Sequence, residues 1–238
     1  MNTTTFKNRV STAPVLQCTI ADVLERIKSP EWQKRIEKCH TDLKAKDYLP
    51  CFTPTGTFSH RSIAGLDVYN GVICLDVDNI DNVEEVKGIA RTLPFVYAAY
   101  ITPSGRGLKV IVKTNATRDS YTIAERIIAR KWEIETGALR DNHCKDIARI
   151  QYISYDPDLI FNPEAEVVDI WPSYRALLTL SEWRIKDATD LKERKKAELE
   201  RDQLRKDAGD EGKVYELKML EADLDKVAEF VEQNIEKK

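Results

Sequence analysis

The 238-residue chain has no apolar run that approaches the roughly 20 residues needed for a membrane-spanning helix. Its first residues also lack the basic-then-apolar order of a secretion signal. These absences argue against an integral membrane protein and against a secreted one. The sequence therefore predicts a cytoplasmic location without membrane contact.

Paired cysteines are absent as well. Five cysteines are present, but none forms a CxxC pair, although His residues adjoin Cys39 and Cys144. A structural zinc site is therefore not expected, because such sites use closely spaced ligand pairs. Isolated thiols in a reducing compartment are the favoured interpretation. Cys74 lies inside an apolar segment and is expected to pack in the core.

An excess of basic charge is also lacking. The formal net charge is −3, and residues 1–185 contain 24 Lys and Arg against 24 Asp and Glu. A uniformly basic nucleic-acid-binding surface is therefore excluded. Any contact with nucleic acid would need a local basic groove, and its affinity would depend on salt.

Helical and extended patterns alternate along residues 1–183. Helices are predicted for "TIADVLERIKS", "SPEWQKRIEKCHTDLKAK", "NVEEVKGIARTL" and "RDSYTIAERIIARKWEIETG". Strands are predicted for "GVICLDVD", "FVYAAYIT", "LKVIVK" and "ARIQYISY", and "YDPDLIFNPEAEV" is predicted to be a loop. The short "PSGRG" link between two strands implies an antiparallel pair. The patterns predict an α+β fold, with an antiparallel sheet flanked by helices.

The composition changes after Trp183. Residues 184–238 begin with a highly charged stretch that has no apolar stripe, which predicts a solvated helix or linker. Apolar spacing returns at Leu217, Leu220, Leu224, Val227, Val231 and Ile235. We therefore expect two parts, a main domain over 1–183 and a charged helical tail over 184–238. The apolar face of the tail could pack back on the body, dimerise, or continue into a longer chain.

The strand "GVICLDVDNI" ends in two acidic residues. Asp76 and Asp78 are two positions apart, so a strand places both carboxylates on the same face. Their mutual repulsion and lost hydration call for a divalent cation, an arginine or plain exposure to water. A calcium-binding EF-hand loop is excluded, because Ile80 and Asp81 stand where it needs an Asp or Asn and a Gly. An exposed strand end remains an alternative.

A glycine-containing turn, "TPSGRGLKVIVK", supplies a second candidate cluster. Ser104, Gly105 and Gly107 would let a ligand approach the backbone closely, and Arg106 and Lys109 add positive charge. These are the usual ingredients of a phosphate-binding loop. An ordinary hairpin turn with solvated basic residues fits the same letters.

The segment "LRDNHCKDIARIQYISYDPD" supplies the third. It contains Asp141, Arg149 and Ser154. An arginine on a strand beside carboxylates can neutralise them or bind phosphate with two donors. A surface ion pair between Asp146 and Arg149 is the alternative.

In this order, "ICLDVD", "SGRGLK" and "LRD…DIAR…YIS" resemble the archaeo-eukaryotic primase superfamily, the primase-polymerases. The chain is most similar to the VirE N-terminal-type branch found in bacterial mobile elements. The resemblance covers roughly residues 49–163. It implies an RRM-like catalytic core that synthesises a strand on a DNA template or primer from NTPs or dNTPs. It also implies a helicase-type ATPase domain, in a longer chain or in trans.

The resemblance further implies a role for each candidate residue. Asp76, Asp78 and Asp141 would be catalytic and would hold two Mg²⁺ or Mn²⁺ ions. The nucleotide would be bound by Ser104, Gly105, Arg106, Gly107, Lys109, Arg149 and Ser154. One departure stands out, since many superfamily members carry histidine where this chain has Lys109.

Two other functions are compatible with these residues. A non-catalytic module or scaffold that binds single-stranded nucleic acid would keep the carboxylates without binding nucleotides. A metal-dependent phosphatase or nuclease would release phosphate or shorten DNA.

Overall fold

The computed structural model describes residues 1–141 and 146–235. The chain divides into two compact units, Met1–Asp169 and Ile170–Lys238. Within the described ranges, no helix combines the length and the apolar character that crossing a bilayer requires.

In its described residues, 1–141 and 146–169, the first unit contains ten strands and four helices. The strands are β1 (Asn2–Phe6), β2 (Leu16–Thr19), β3 (Cys51–Thr53), β4 (Gly56–Phe58), β5 (Leu66–Tyr69), β6 (Val72–Asp78), β7 (Val96–Ile101), β8 (Gly107–Lys113), β9 (Gln151–Tyr152) and β10 (Ile160–Phe161). The helices are α1 (Ile20–Lys28), α2 (Gln33–Thr41), α3 (Val83–Thr92) and α4 (Tyr121–Thr136). Two 3₁₀ turns, Pro30–Trp32 and Leu43–Tyr48, flank α2. The mixed α+β class is confirmed.

Local signals explain where the helices begin and end. Thr19 caps α1 by accepting from the Asp22 amide, while the Asp22 carboxylate accepts from the Thr19 amide. Helix α4 ends at Gly137, which has φ of 70°, a left-handed conformation that favours glycine. Both ends agree with the sequence prediction. The second predicted helix is shorter than expected, since α2 stops at Thr41 and a 3₁₀ turn follows.

Strand β6, which carries the acidic pair, belongs to a four-stranded sheet ordered β10–β7–β8–β6. All neighbours in this sheet are antiparallel. The hairpin β7–β8 was predicted by the sequence and is confirmed. Because β6 and β7 both pair with β8, they run parallel with β8 between them, and α3 makes the crossover.

The remaining edge of β6 is the place where an RRM-like order would put its last strand. No strand of the described residues pairs there, and β10 lies at the opposite edge, beside β7. Instead the chain that follows α4 approaches β6 at one point, where the Asp141 amide donates to the Asp76 carbonyl over 2.7 Å. The observed fold is thus an antiparallel α+β sheet with an irregular segment at this edge.

One face of this sheet contributes to the main core. Val72 and Cys74 of β6, Tyr100 of β7 and Ile111 of β8 pack in one cluster with apolar residues of α1 and α2. Helices α3 and α4 pack against β6, β7 and β8. Asp76 and Asp78 continue the alternation of Val72 and Cys74, so they lie on the face that carries α1 and α2.

A second sheet, ordered β2–β1–β3–β9, and the small pair β4–β5 complete the unit. Strands β1 and β2 were not predicted. The predicted strand "ARIQYISY" is wrong over most of its length, because only Gln151–Tyr152 pairs with β3. The predicted loop that follows contains a short strand, β10.

The C-terminal unit pairs α5 (Trp171–Asp187) with α6 (Leu191–Ile235). Gly209, with φ of 61° and ψ of −155°, interrupts α6. Ala197, Leu204 and Ala208 are buried, so the charged stretch has a narrow apolar side that the sequence analysis missed. The structural division at 169/170 assigns α5 to this unit, whereas the predicted boundary lay at 183/184.

The predicted apolar face of the tail is described only in part. Leu217 and Leu220 are each 60% exposed. The side chains of Leu224, Val227, Val231 and Ile235 lie outside the described residues.

Candidate active site at the end of strand β6

Asp76 is buried and faces a lysine. In the register of β6 and β8 it lies directly opposite Lys109, and the Lys109 ammonium forms an ion pair with its Oδ2. The two side chains are only 10% and 8% exposed. A charge that is buried away from water needs a partner of opposite sign. Here Lys109 and Asp76 neutralise each other.

The second oxygen of Asp76 has no such partner. Oδ1 is buried and accepts no hydrogen bond from any described residue. A buried carboxylate oxygen without a donor carries a desolvation cost, and an oxygen-binding cation would remove it. This orphaned oxygen fits a Mg²⁺ or Mn²⁺ ligand.

Asp78 lies at the exposed end of β6, opposite Gly107. Desolvation by the surrounding protein raises the pKa of Asp78 above its ordinary value of 3.8, and the Asp76 carboxylate raises it further. Asp141 also raises the pKa of Asp78, while Lys109 and Lys46 lower it. The strand end therefore concentrates negative charge.

Asp141 also lies at this strand end, although it follows Asp78 by 63 residues in the sequence. Its backbone amide donates to the Asp76 carbonyl over 2.7 Å, and its charge acts on Asp78. The structure thus assembles Asp76, Asp78 and Asp141 at one edge of the sheet. In the ranges 1–141 and 146–235, however, no three His, Cys, Asp or Glu side chains already form a metal site.

The turn between β7 and β8 is tied to the acidic strand end. The Gly105 amide donates to the Thr102 carbonyl, and Gly105 has a φ of 72°. The Arg106 carbonyl accepts from the Ile80 amide over 3.1 Å. Ser104 Oγ lies 3.1 Å from Thr102 Oγ1, and the Arg106 side chain is exposed.

Gly107 is required by its position. A Cβ on this residue would lie 2.5 Å from the Val77 carbonyl oxygen and 3.0 Å from Asp78 Oδ1. Any other residue would displace the strand that carries the acidic pair. The glycine therefore permits close contact between the turn and the carboxylates.

Ser154 supports the turn from the other side of β7. Its buried hydroxyl donates to the Ile101 carbonyl over 2.7 Å. Two residues later, buried Asp156 accepts from the Ile101 amide over 2.9 Å and from Lys87 Nζ over 2.7 Å. These bonds fix the end of β7, from which the Ser-Gly turn departs.

Two further arginines, Arg149 and Arg61, have contacts of different kinds. Arg149 Nε lies 3.3 Å from Asp146 Oδ2, which is the surface ion pair weighed above. Arg61 lies over the Phe6 ring, with its guanidinium carbon 6.0 Å from the ring centre. Phe6 is part of β1, in the second sheet.

Two basic residues near the site were missed by the sequence analysis. His40, at the end of α2, places its Nε2 3.2 Å from the point where a Cβ on Gly105 would lie. Lys46, in the following 3₁₀ turn, acts on the Asp78 carboxylate. No local pattern marks either residue, because both approach the site through the packing of α2 on the sheet.

Comparison with known families matches residues 44–161 to the family model described as BT4734-like, N-terminal domain. The matched segment contains Asp76, Asp78, Asp141 and the whole turn between β7 and β8. Neither the curated proteins nor the solved structures yield a match.

Proposed function

We propose that this BT4734-like N-terminal domain catalyses metal-dependent nucleotidyl transfer, extending a strand on a DNA template from nucleoside triphosphates. The observation that carries the proposal is the position of Asp141. Its amide is bonded to the carbonyl of Asp76, and its charge acts on Asp78. Asp141, remote in sequence, thus joins the adjacent pair Asp76 and Asp78 beside a turn that has phosphate-binding character.

The residues present fit a metal-dependent site. Asp76, with its orphaned Oδ1, would hold divalent cations together with Asp78 and Asp141. Bound there, two Mg²⁺ or Mn²⁺ ions would activate the attacking 3′-hydroxyl and neutralise charge on the leaving pyrophosphate.

The other side chains have separable tasks. Lys109 compensates the buried Asp76 carboxylate, so its first task is to position that ligand. Arg106 is exposed at the turn and would bind the triphosphate together with the Ser104 hydroxyl. Gly105 and Gly107 let the phosphates approach the backbone. Ser154 holds the base of the turn, and Arg149 stays a candidate phosphate ligand.

Primer extension on a DNA template with dNTPs or NTPs and Mn²⁺ tests the proposal. The sharpest variant is Asp141→Asn, which keeps the backbone bond to Asp76 and removes only the charge. We expect Asp78→Asn and Asp141→Asn each to abolish extension while circular dichroism stays unchanged. Asp67→Asn is the matched control, since Asp67 is an exposed acid on β5 and should not affect activity.

Other outcomes would identify a different function. Extension that survives both substitutions would refute the assignment of the acids. Shortening of DNA or release of phosphate would indicate a nuclease or phosphatase. Binding of single-stranded DNA that is independent of Mn²⁺, without nucleotide binding, would indicate a non-catalytic module.

A further inference from the structure

The turn between β7 and β8 is covered by a basic segment that belongs to neither strand. This segment runs from the end of α2 through the 3₁₀ turn Leu43–Tyr48. It places His40 at Gly105, and Lys46 follows six residues later, on the 3₁₀ turn. Arg106 extends from the turn itself. His40 and Arg106 thus come from two remote parts of the chain to the same turn, and Lys46 lies on the segment that carries His40.

His40, Lys46 and Arg106 are also available to bind a ligand. Within residues 1–141 and 146–235, none of His40, Lys46 and Arg106 makes a side-chain hydrogen bond or an ion pair. Elsewhere on the same unit, Arg9 pairs with Asp47 and Lys28 with Glu25. Unpaired donors that converge on a glycine-containing turn form a site for an anion.

Lys109 does not serve this anion site in the structure. Its ammonium is buried against Asp76 and is directed into the sheet face. The imidazole of His40, in contrast, lies directly over Gly105, with Nε2, Cδ2 and Cε1 3.2, 3.5 and 3.6 Å from the Cβ position. A side chain from α2 therefore stands at the turn, where Lys109 cannot reach without leaving Asp76 uncompensated.

We propose that His40 and Lys46 bind the phosphates of a nucleoside triphosphate held at the Ser104–Gly107 turn. This inference rests on the proposed function, because it names two further ligands of the same nucleotide. His40 lies outside the family-matched segment 44–161, whereas Lys46 lies inside it. The helix α2 is thus part of the nucleotide site and does more than cover the core.

Calorimetry with Mn²⁺-dATP and with inorganic tripolyphosphate tests this site without requiring catalysis. We expect His40→Ala and Lys46→Ala each to weaken binding of both probes by about tenfold to 100-fold, the range for one charge-assisted hydrogen bond. His40→Gln, which keeps a donor, should recover part of the loss. Lys44→Ala is the control, because Lys44 is exposed on the same 3₁₀ turn and does not act on Asp78.

The outcomes separate this inference from the proposed function. If both variants bind as tightly as the unaltered chain while primer extension proceeds, the inference is overturned and the proposed function stands. If binding depends on His40 and Lys46 but no strand is extended, the phosphate site stands and the proposed function fails. If neither probe binds, the inference is overturned.

Discussion

The ion pair between Lys109 and Asp76 gives the sharpest test of how the acidic site is held together. Replacing Lys109 by Met keeps most of the aliphatic volume and removes only the charged end. Because Asp76 is 10% exposed, its carboxylate would then be buried without a counter-charge. Breaking a buried pair from one side typically costs about 3–5 kcal/mol of unfolding free energy.

Such a loss is large against the total stability of a domain, about 5–15 kcal/mol. Urea unfolding of Lys109→Met against the unaltered chain measures it directly. The double variant Asp76→Asn/Lys109→Met removes both charges and should recover most of the loss, since no isolated buried charge remains.

A divalent cation should partly replace the missing ammonium. At a concentration 100 times its Kd, a bound ion adds about 2.7 kcal/mol of stability. We therefore expect Mn²⁺ to stabilise Lys109→Met more than the unaltered chain, in which the lysine repels the ion. The double variant should show little Mn²⁺ effect. Equal stabilisation of all three proteins, or an unfolding free energy of Lys109→Met that matches the unaltered chain, would refute this reasoning.

Four further substitutions have defined outcomes. Because the pKa of Asp78 is raised, its ionised form opposes folding, so Asp78→Asn should raise Tm at pH 7, and the gain should vanish below about pH 3.8. Gly107→Ala should lower Tm, because the added Cβ would lie 2.5 Å from the Val77 carbonyl oxygen. An added Cβ on Gly88 meets no atom within 4 Å, so Gly88→Ala should raise the unfolding free energy in urea by about 0.5–1 kcal/mol. Asp156→Ala should cost up to about 3–5 kcal/mol, because it removes the 2.7 Å partner of buried Lys87 and leaves it with the exposed Asp158 carboxylate, 3.8 Å away. Unchanged unfolding in any of these variants would contradict the stated cause.

The sequence predicts those features of the fold that depend on local patterns. The Thr19 cap, the end of α4 at Gly137 and the hairpin β7–β8 each follow from a few neighbouring residues. The short strands β1, β2 and β10 escape prediction, because their pairing depends on remote partners. Residue Thr4, for example, pairs with Gln17 and Thr53.

In the candidate site, too, only the residues that a local pattern marks can be predicted from the sequence. Asp76 and Asp78 are recognisable from alternation in one strand, and the turn from its glycines. The burial of Lys109 against Asp76 follows from the register of β6 and β8, which no local pattern specifies. The role of His40 is even harder to predict from the sequence, because its position over Gly105 depends on how α2 packs across the sheet.

The hydrogen bond from the Ile80 amide to the Arg106 carbonyl has a thermodynamic consequence. It links the segment after the acidic end of β6 to the turn between β7 and β8, so a displacement of one also displaces the other. Under the proposed function, a cation bound by the carboxylates and a nucleotide bound at the loop would therefore favour the same backbone arrangement. By linkage, if the first ligand raises the affinity for the second by some factor, the second raises the affinity for the first by the same factor.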